Sequence, residues 1–146
     1  TTVWIDIFTK RFILKEINAN VFLSIHDVGG QARFSAVRHN FLSNAHIAIF
    51  VFDRTRPDTL QNIRSVWYPE FDKVKINHKI GKSLNLLVGN KSDLQDLIMI
   101  DNQEALELQE EIGSVDLIYT SAKENQNVDK AFEDISIAYI KTVFNF

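Results

Sequence analysis

Apolar strand patterns alternate with helical patterns along most of this chain, and that alternation restricts the fold more than any other feature of the sequence. Five segments rich in β-branched and aromatic residues are predicted to be strands: residues 3–14, 20–27, 45–52, 84–88 and 115–119. A polar turn separates the first two, which predicts an antiparallel hairpin. Helical patterns between the others favour parallel strands with helices on both faces of the sheet. The sequence therefore predicts a doubly wound α/β domain with a mostly parallel sheet and one antiparallel hairpin.

Three segments carry the apolar spacing of amphipathic helices. Their apolar positions are Leu60, Ile63 and Trp67 in the first, Ala105, Leu108 and Ile112 in the second, and Val128, Ala131, Phe132, Ile135, Ala138 and Tyr139 in the third. A possible capping box, Thr55 with Asp58, opens the first helix, and Pro69 is expected to end or bend it. Asp101, with Glu104 three residues on, is expected to open the second helix.

Composition and charge exclude several classes of protein. Of 146 residues, 45% are hydrophobic and 11 are Phe, which is enough apolar bulk for one domain with one core. The net charge of −3 argues against a nucleic-acid binder. The absence of Cys excludes disulfides, Cys-based zinc sites, thiol nucleophiles and lipid anchors attached through Cys. The four histidines show no pair with the helical spacing that favours a shared metal: His26, His39, His46 and His78.

The pattern of apolar runs predicts a cytoplasmic protein without a membrane span. The longest apolar run, residues 47–52, is far shorter than the roughly 20 residues that a spanning helix needs. The first ten residues show no basic region followed by an apolar stretch, so no signal peptide is visible.

Polar clusters follow three of the predicted strands, at the edge where open α/β sheets bind ligands. In Asp27-Val28-Gly29-Gly30-Gln31, the Asp27 carboxylate suits Mg²⁺ or a Mg²⁺-bound water, and Gly30 lets a backbone N–H approach an anion. An ordinary Asp–Gly turn is the alternative interpretation.

The other two clusters contain groups that can recognise a planar base. In Gly89-Asn90-Lys91-Ser92-Asp93, the Asp93 carboxylate can accept two parallel N–H bonds, and the Lys91 stem can lie along a ring. In Thr120-Ser121-Ala122-Lys123, the small Ala122 side chain lets its backbone N–H approach a base carbonyl. A solvated turn and a helix N-cap run are the respective alternatives.

Taken together and in this order, the three clusters resemble the conserved boxes of the Ras superfamily of small GTPases. DVGGQ matches the DxxGQ box of switch II, GNKSD matches the NKxD guanine box, and TSAK matches the SAK guanine box. TSAKENQNV followed by an amphipathic helix is typical of Rab-type members, whereas PDTLQNI with Trp67, Pro69 and Glu70 is more Rho-like. The resemblance implies a P-loop NTPase-like small GTPase domain over residues 1–146, starting at switch I.

The resemblance also implies residue roles around phosphate and metal. Thr2, in TVWID, would contact Mg²⁺ and the γ-phosphate, with Thr1 as the alternative, and Asp27 would hold a Mg²⁺-bound water. Gly30 would donate its N–H to the γ-phosphate, and Gln31 would orient the attacking water as the catalytic residue. The base would be bound by residues of the other two boxes: Asn90, Lys91, Asp93, Ser121, Ala122 and Lys123.

The strand, P-loop and first helix with which the family begins are missing from these residues. No GxxxxGK[ST] string occurs among the 146, so the chain is predicted to be truncated at its N-terminus by on the order of 30 residues relative to the family. The missing strand lies centrally in the family's sheet. The two strands beside it, residues 20–26 and 45–52, are therefore predicted to flank a strand-wide gap or to pair directly.

Two functions follow from the resemblance. The first is a molecular switch that binds GTP and hydrolyses it to GDP with Mg²⁺, and that engages effector, exchange-factor and GTPase-activating proteins through switch I and switch II. The alternative is a pseudo-GTPase, an interaction module that has lost phosphate binding. In the pseudo-GTPase, the hairpin and the switch II surface would bind partners. His26 stands where Rab-type members carry Trp, which puts Rab-like effector recognition in question.

Overall fold

The computed structural model describes residues 5–28, 35–75 and 83–144, with the backbone alone at 35–37. Its strands are β1 (Ile5–Leu14), β2 (Ala19–Val28), β3 (Ile47–Asp53), β4 (Leu84–Asn90) and β5 (Leu117–Tyr119). Its helices are α1 (Ser35–Leu42), α2 (Pro57–Asn62), α3 (Tyr68–Lys75), α4 (Asn102–Ile112) and α5 (Val128–Phe144). A π-helical segment, Ile63–Trp67, joins α2 to α3, and a 3-10 turn, Gln95–Leu97, precedes α4. The predicted mixed α/β fold is confirmed.

The hairpin of β1 and β2 is antiparallel, as the sequence predicts. Leu14 lies opposite Ala19 at the turn. Its backbone carbonyl accepts a hydrogen bond from the N–H of Ile17 at 3.3 Å, and Asn18 adopts a left-handed φ of 50°. An Asn tolerates that conformation better than most residues, which is why the polar turn can be this short. Leu14 is buried on one face of the hairpin.

The parallel sheet contains β3, β4 and β5 in that order. Its strands are apolar on both faces because helices cover both, which accounts for their nearly continuous hydrophobic runs. On one face, side chains of β3 and β4 pack against α2, the π segment, α3 and α4; on the other, β4 and β5 pack against α5. In the described residues, no helix is both long and apolar enough to cross a membrane.

One expectation about the first predicted helix is wrong, and of the two alternatives for Pro69 one is excluded. Thr55 does not cap it: the Thr55 N–H and hydroxyl donate to Asp53 Oδ1 instead, and Arg56 occupies the N-cap without a side-chain bond. Pro69 does not end the helix either. The π segment before it lets the Tyr68 N–H bond to the carbonyl of Ile63, and the helix continues through Pro69 as α3. A π turn redirects the preceding carbonyls, so the proline ring is accommodated.

Helix α1 was not predicted, because its eight residues show little helical periodicity of apolar side chains. Tertiary contacts determine its position. Arg38 is buried and donates two hydrogen bonds, at 2.9 and 3.0 Å, to the carboxylate of Glu70 on α3, and it lies over the ring of Trp67. On the other side, Phe41 contacts the ring of His26 on β2 with centroids 5.3 Å apart.

An open cleft separates the hairpin from the parallel sheet. In the described residues, β2 pairs only with β1 and β3 only with β4, so of the two predicted arrangements the structure has the gap and not direct pairing. The cleft has a volume of about 990 Å³ and is lined by β2, α1 and β3.

Candidate functional site

The carboxyl ends of the three parallel strands form the candidate site. Asp53 at the end of β3 lies beside Asn90 at the end of β4, and Gly89 lies beside Tyr119 at the end of β5. Parallel strands point their ends to the same edge, so the loops that follow them meet there. The two predicted base-binding boxes, 89–93 and 120–123, are thus neighbours.

Asn90 joins the two boxes through its side chain. Its Oδ1 accepts hydrogen bonds from the Thr120 hydroxyl and from the Ala122 backbone N–H, both at 3.0 Å. The backbones are also joined, because the Ser92 N–H donates to the Thr120 carbonyl at 3.0 Å. The predicted bracing role of Asn90 fits this geometry. The sequence predicts that the Ala122 N–H approaches a ligand carbonyl. In the structure this N–H donates to Asn90 Oδ1 instead.

Asp93 is held by a buried serine. Its Oδ1 accepts a hydrogen bond from the Ser121 hydroxyl at 2.8 Å, and the oxygen of that hydroxyl accepts the Glu124 N–H at 3.1 Å. Ser121 is fully buried, whereas Asp93 is half-buried at the site. An ionised carboxylate offers about four acceptor positions, so this single bond orients Asp93 and leaves it the capacity to accept N–H groups of a ligand.

Lys91 adopts a left-handed backbone conformation, with φ at 67°. Its ammonium Nζ lies 2.8 Å from Asp53 Oδ2, and its side chain is about half exposed. Burial alone would raise the pKa of Asp53, but the hydrogen bonds from the Lys91 ammonium and from the hydroxyl and N–H of Thr55 outweigh it and hold that pKa at about 2.

The loop after β5 is shaped by local turns. Ser121 and Gln126 exchange two backbone hydrogen bonds, of 2.9 and 3.1 Å, which closes residues 122–125 into a turn with Lys123 exposed. Asn127 has a φ of 60° and donates from its side chain to the Tyr119 carbonyl at 3.0 Å. These bonds hold the 120–123 box against the sheet before α5 begins.

Gly89 is required by close packing within the sheet. A Cβ built on it would lie 2.7 Å from both Phe52 Cζ and Tyr119 Cδ1, closer than real Cβ contacts. The glycine that begins the GNKSD box therefore allows the aromatic side chains of β3 and β5 to approach each other across β4.

The predicted phosphate and metal residues are only partly visible. Thr2, Gly30 and Gln31 lie outside the described residues. Asp27 is exposed near the end of β2, opposite Asp6, and lines the cleft. In the described part of the chain, no group of three or more His, Cys, Asp or Glu could hold a metal. A lone strand-end carboxylate still fits Mg²⁺, which keeps waters and takes further ligands from substrate phosphates.

Sequence reasoning missed Asp53, which ends β3, and Arg54, which follows it at the same sheet edge. Arg54 donates from Nη1 to the Ser92 hydroxyl at 3.0 Å, and its guanidinium lies 4.0 Å from the centre of the Tyr119 ring. The signal was present in the sequence, because an acid and a base directly follow a predicted parallel strand.

Sequence comparison relates this chain to known proteins. A profile of the Ras family matches residues 1–141. The chain is 29% identical to Ras-related protein RABC1 of Arabidopsis thaliana, over 97% of this chain and 64% of that protein. It is 33% identical to Ras-related protein Rab-19 of Rattus norvegicus, over 90% of this chain and 57% of that protein. It is 32% identical to GTP-binding protein ypt1 of Schizosaccharomyces pombe, over 93% of this chain and 63% of that protein. The chain thus spans less than two thirds of the length of these relatives.

Proposed function

Because this chain belongs to the Ras family, we propose that the loops after β4 and β5 bind the base of a guanine nucleotide. The protein would act as a small GTPase that regulates trafficking or signalling. The observation that carries the proposal is the orientation of Asp93 by the buried Ser121, at 2.8 Å, beside loops that Asn90 joins. The hydrogen bonds of Ser121 and Asn90 fix these groups relative to one another, and such preorganisation reduces the entropy lost on binding.

The chemistry of guanine suits this arrangement. Guanine presents an N1–H and an exocyclic amine side by side, and a carboxylate such as Asp93 can accept both hydrogen bonds. The Lys91 stem would lie along the ring face, and Ser121, Ala122 and the exposed Lys123 would complete the pocket. Adenine lacks this pair of donors on the same edge, so Asp93 would favour guanine.

For hydrolysis, the residues before α1 would act on the γ-phosphate. Gln31 would orient the attacking water, and Gly30 would donate its backbone N–H to the phosphate. Thr2 and Asp27 would hold Mg²⁺, which when bound neutralises phosphate charge. Switch I and switch II would then order around the γ-phosphate, presenting surfaces to effectors, exchange factors and GTPase-activating proteins. The support is the family membership and the position of Asp27 near the end of β2.

A second candidate function is a protein-interaction module without phosphate binding. One face of the hairpin leaves three large apolar side chains exposed: Ile7, Ile13 and Phe22. Exposed apolar side chains on one face favour a partner surface. Failure of the purified wild-type protein to bind GDP or GTP would favour this function over the first.

Replacement of Asp93 by Asn tests the base site. The variant exchanges one acceptor for a donor, which mismatches the guanine amine but suits a carbonyl at that position. GDP affinity should fall roughly 10- to 150-fold, while affinity for xanthosine diphosphate should rise. Both are measured by calorimetric titration of a chain in which the P-loop segment of the family is restored ahead of residue 1. Asp96→Asn, an exposed acid three residues on, is the matched control and should leave both affinities unchanged. Equal GDP binding by wild type and Asp93→Asn would remove Asp93 from the site.

Replacement of Gln31 by Leu tests the hydrolytic role. Leu keeps the approximate size but lacks the amide that would orient water, so single-turnover GTP hydrolysis should slow while nucleotide affinity stays the same. The measurement is phosphate release from a preformed complex with GTP. A parallel fall of affinity and rate would show instead that Gln31 supports the fold.

A further inference from the structure

Asp53 ends β3 directly beside the GNKSD box. We propose that Asp53 is a positioning residue that fixes the Lys91 side chain at the base site. Through Lys91, Asp53 would strengthen nucleotide binding without touching the nucleotide. This inference rests on the proposed function of the base site.

Both oxygens of the Asp53 carboxylate are engaged. Oδ2 lies 2.8 Å from Lys91 Nζ, and Oδ1 accepts the Thr55 N–H at 2.9 Å and the Thr55 hydroxyl at 2.6 Å. The Asp53 backbone N–H donates to the Thr59 hydroxyl at 2.9 Å. Only 11% of the carboxylate side chain is exposed, so it is held in one orientation when it meets the ammonium.

The anchored ammonium limits the directions that the Lys91 stem can take. A lysine side chain has four rotatable bonds, and an unanchored one loses most of that freedom when a ligand covers it. With its backbone at a φ of 67° and its ammonium at Asp53, Lys91 has both ends fixed by contacts within the protein. Preorganisation of this kind reduces the entropy lost on binding.

Arg54 holds the next residue of the box in the same way. Its guanidinium donates to the Ser92 hydroxyl and lies over the Tyr119 ring, while its carbonyl accepts the N–H groups of Met99 and Ile100 at 2.9 and 3.2 Å. The two residues after the body of β3 thus hold two consecutive residues of the loop after β4. Because Arg54 is anchored in this way, the adjacent Asp53 is a rigid support for Lys91.

Removal of the Asp53 charge is the first test. In Asp53→Asn, GDP affinity should fall about 2- to 10-fold, the effect of releasing one long side chain that binding must then order. Asp53→Glu, which can re-form the ion pair, should recover most of the affinity. Asp58→Asn, an exposed acid on α2, is the matched control and should bind GDP like wild type. Unchanged GDP affinity in a folded Asp53→Asn protein would overturn the proposal.

A double-mutant cycle separates positioning from general stability. Lys91→Met keeps most of the stem and removes the ammonium, so adding Asp53→Asn to it should weaken GDP binding no further. If Asp53 merely stabilised the sheet edge, its effect would be the same in both backgrounds. Additive effects would therefore reject the positioning role.

A ligand-free measurement keeps this inference distinct from the proposed function. Acylation of lysines followed by mass spectrometry reports how well each ammonium is shielded. Asp53→Asn should increase modification of Lys91 relative to the exposed Lys123. If wild type binds no GDP, the proposed function fails and the positioning role in binding fails with it, while increased acylation still shows that Asp53 holds Lys91. Unchanged acylation would overturn that contact itself.

Discussion

At the scale of single residues, Gly89 gives a direct test of the packing behind the site. In Gly89→Ala, the new Cβ would approach the rings of Phe52 and Tyr119 to 2.7 Å, so these rings or the strands that carry them would have to shift. Overpacking of this kind typically costs about 1–3 kcal/mol. Urea unfolding should therefore show a lower midpoint with an unchanged slope.

The control for Gly89 is another glycine with open space around it. Gly113 ends α4 with a φ of 63°, and a Cβ there meets nothing within 4 Å. Gly113→Ala should lower stability through backbone strain alone, by about 1–2 kcal/mol, and leave the base site unchanged. A Gly89→Ala protein as stable as wild type would contradict the close packing of the two rings.

At the scale of secondary-structure elements, α4 shows a start and an end that local chemistry explains. The predicted opening residue, Asp101, is the N-cap, and its carboxylate accepts the Gln103 N–H at 2.8 Å. Asp101→Ala should destabilise the protein by about 1 kcal/mol, because one of the unpaired N–H groups of the first turn loses its acceptor. Thermal unfolding monitored by circular dichroism measures the shift.

Asp96→Ala is a suitable control for the cap. Asp96 lies on the exposed 3-10 turn before α4 and accepts no capping bond there. Its replacement should leave the melting temperature within experimental error of wild type. Equal melting temperatures for Asp101→Ala and wild type would show that the cap contributes nothing to stability.

At the scale of the whole molecule, the cleft leaves two apolar strands with edges that no strand covers in the described residues. β2 and β3 each have one hydrogen-bonded neighbour there. Unpaired strand edges bind other chains, and buried unsatisfied backbone groups cost about 1–3 kcal/mol each. We therefore expect the isolated 146-residue chain to self-associate or to be unstable. Sedimentation velocity at several concentrations measures this association.

A charge on the β3 edge should reduce the association. Val51 lies on β3 in the lining of the cleft and is exposed, so Val51→Lys places an ammonium where a second strand would pair. Met99→Lys is the control, because Met99 is exposed to 68%, against 55% for Val51, but lies outside the cleft lining. A stable monomer of the wild-type 146-residue chain at all concentrations would contradict this prediction.

Local patterns in the sequence determined the elements and the content of the boxes. Strand and helix periodicities depend on residues two to four apart, so the hairpin, the parallel strands and helix α4 were predictable to within a few residues. The boxes were recognisable because each sits in one continuous loop after a strand. Asp93 and Ser121 belong to two such boxes, and in the structure the Ser121 hydroxyl lies 2.8 Å from Asp93 Oδ1.

Only the tertiary structure decided how distant segments meet. The contact of Asp53 with Lys91 joins the end of β3 to the loop after β4. The place of α1 depends on the ion pair of Arg38 with Glu70 across 32 positions of sequence. The continuation of the helix through Pro69 also depends on packing, because propensity alone predicts a stop there. These features depend on which side chains are buried and on which side chains meet at one sheet edge. The spacing of neighbouring residues in the sequence determines neither of these.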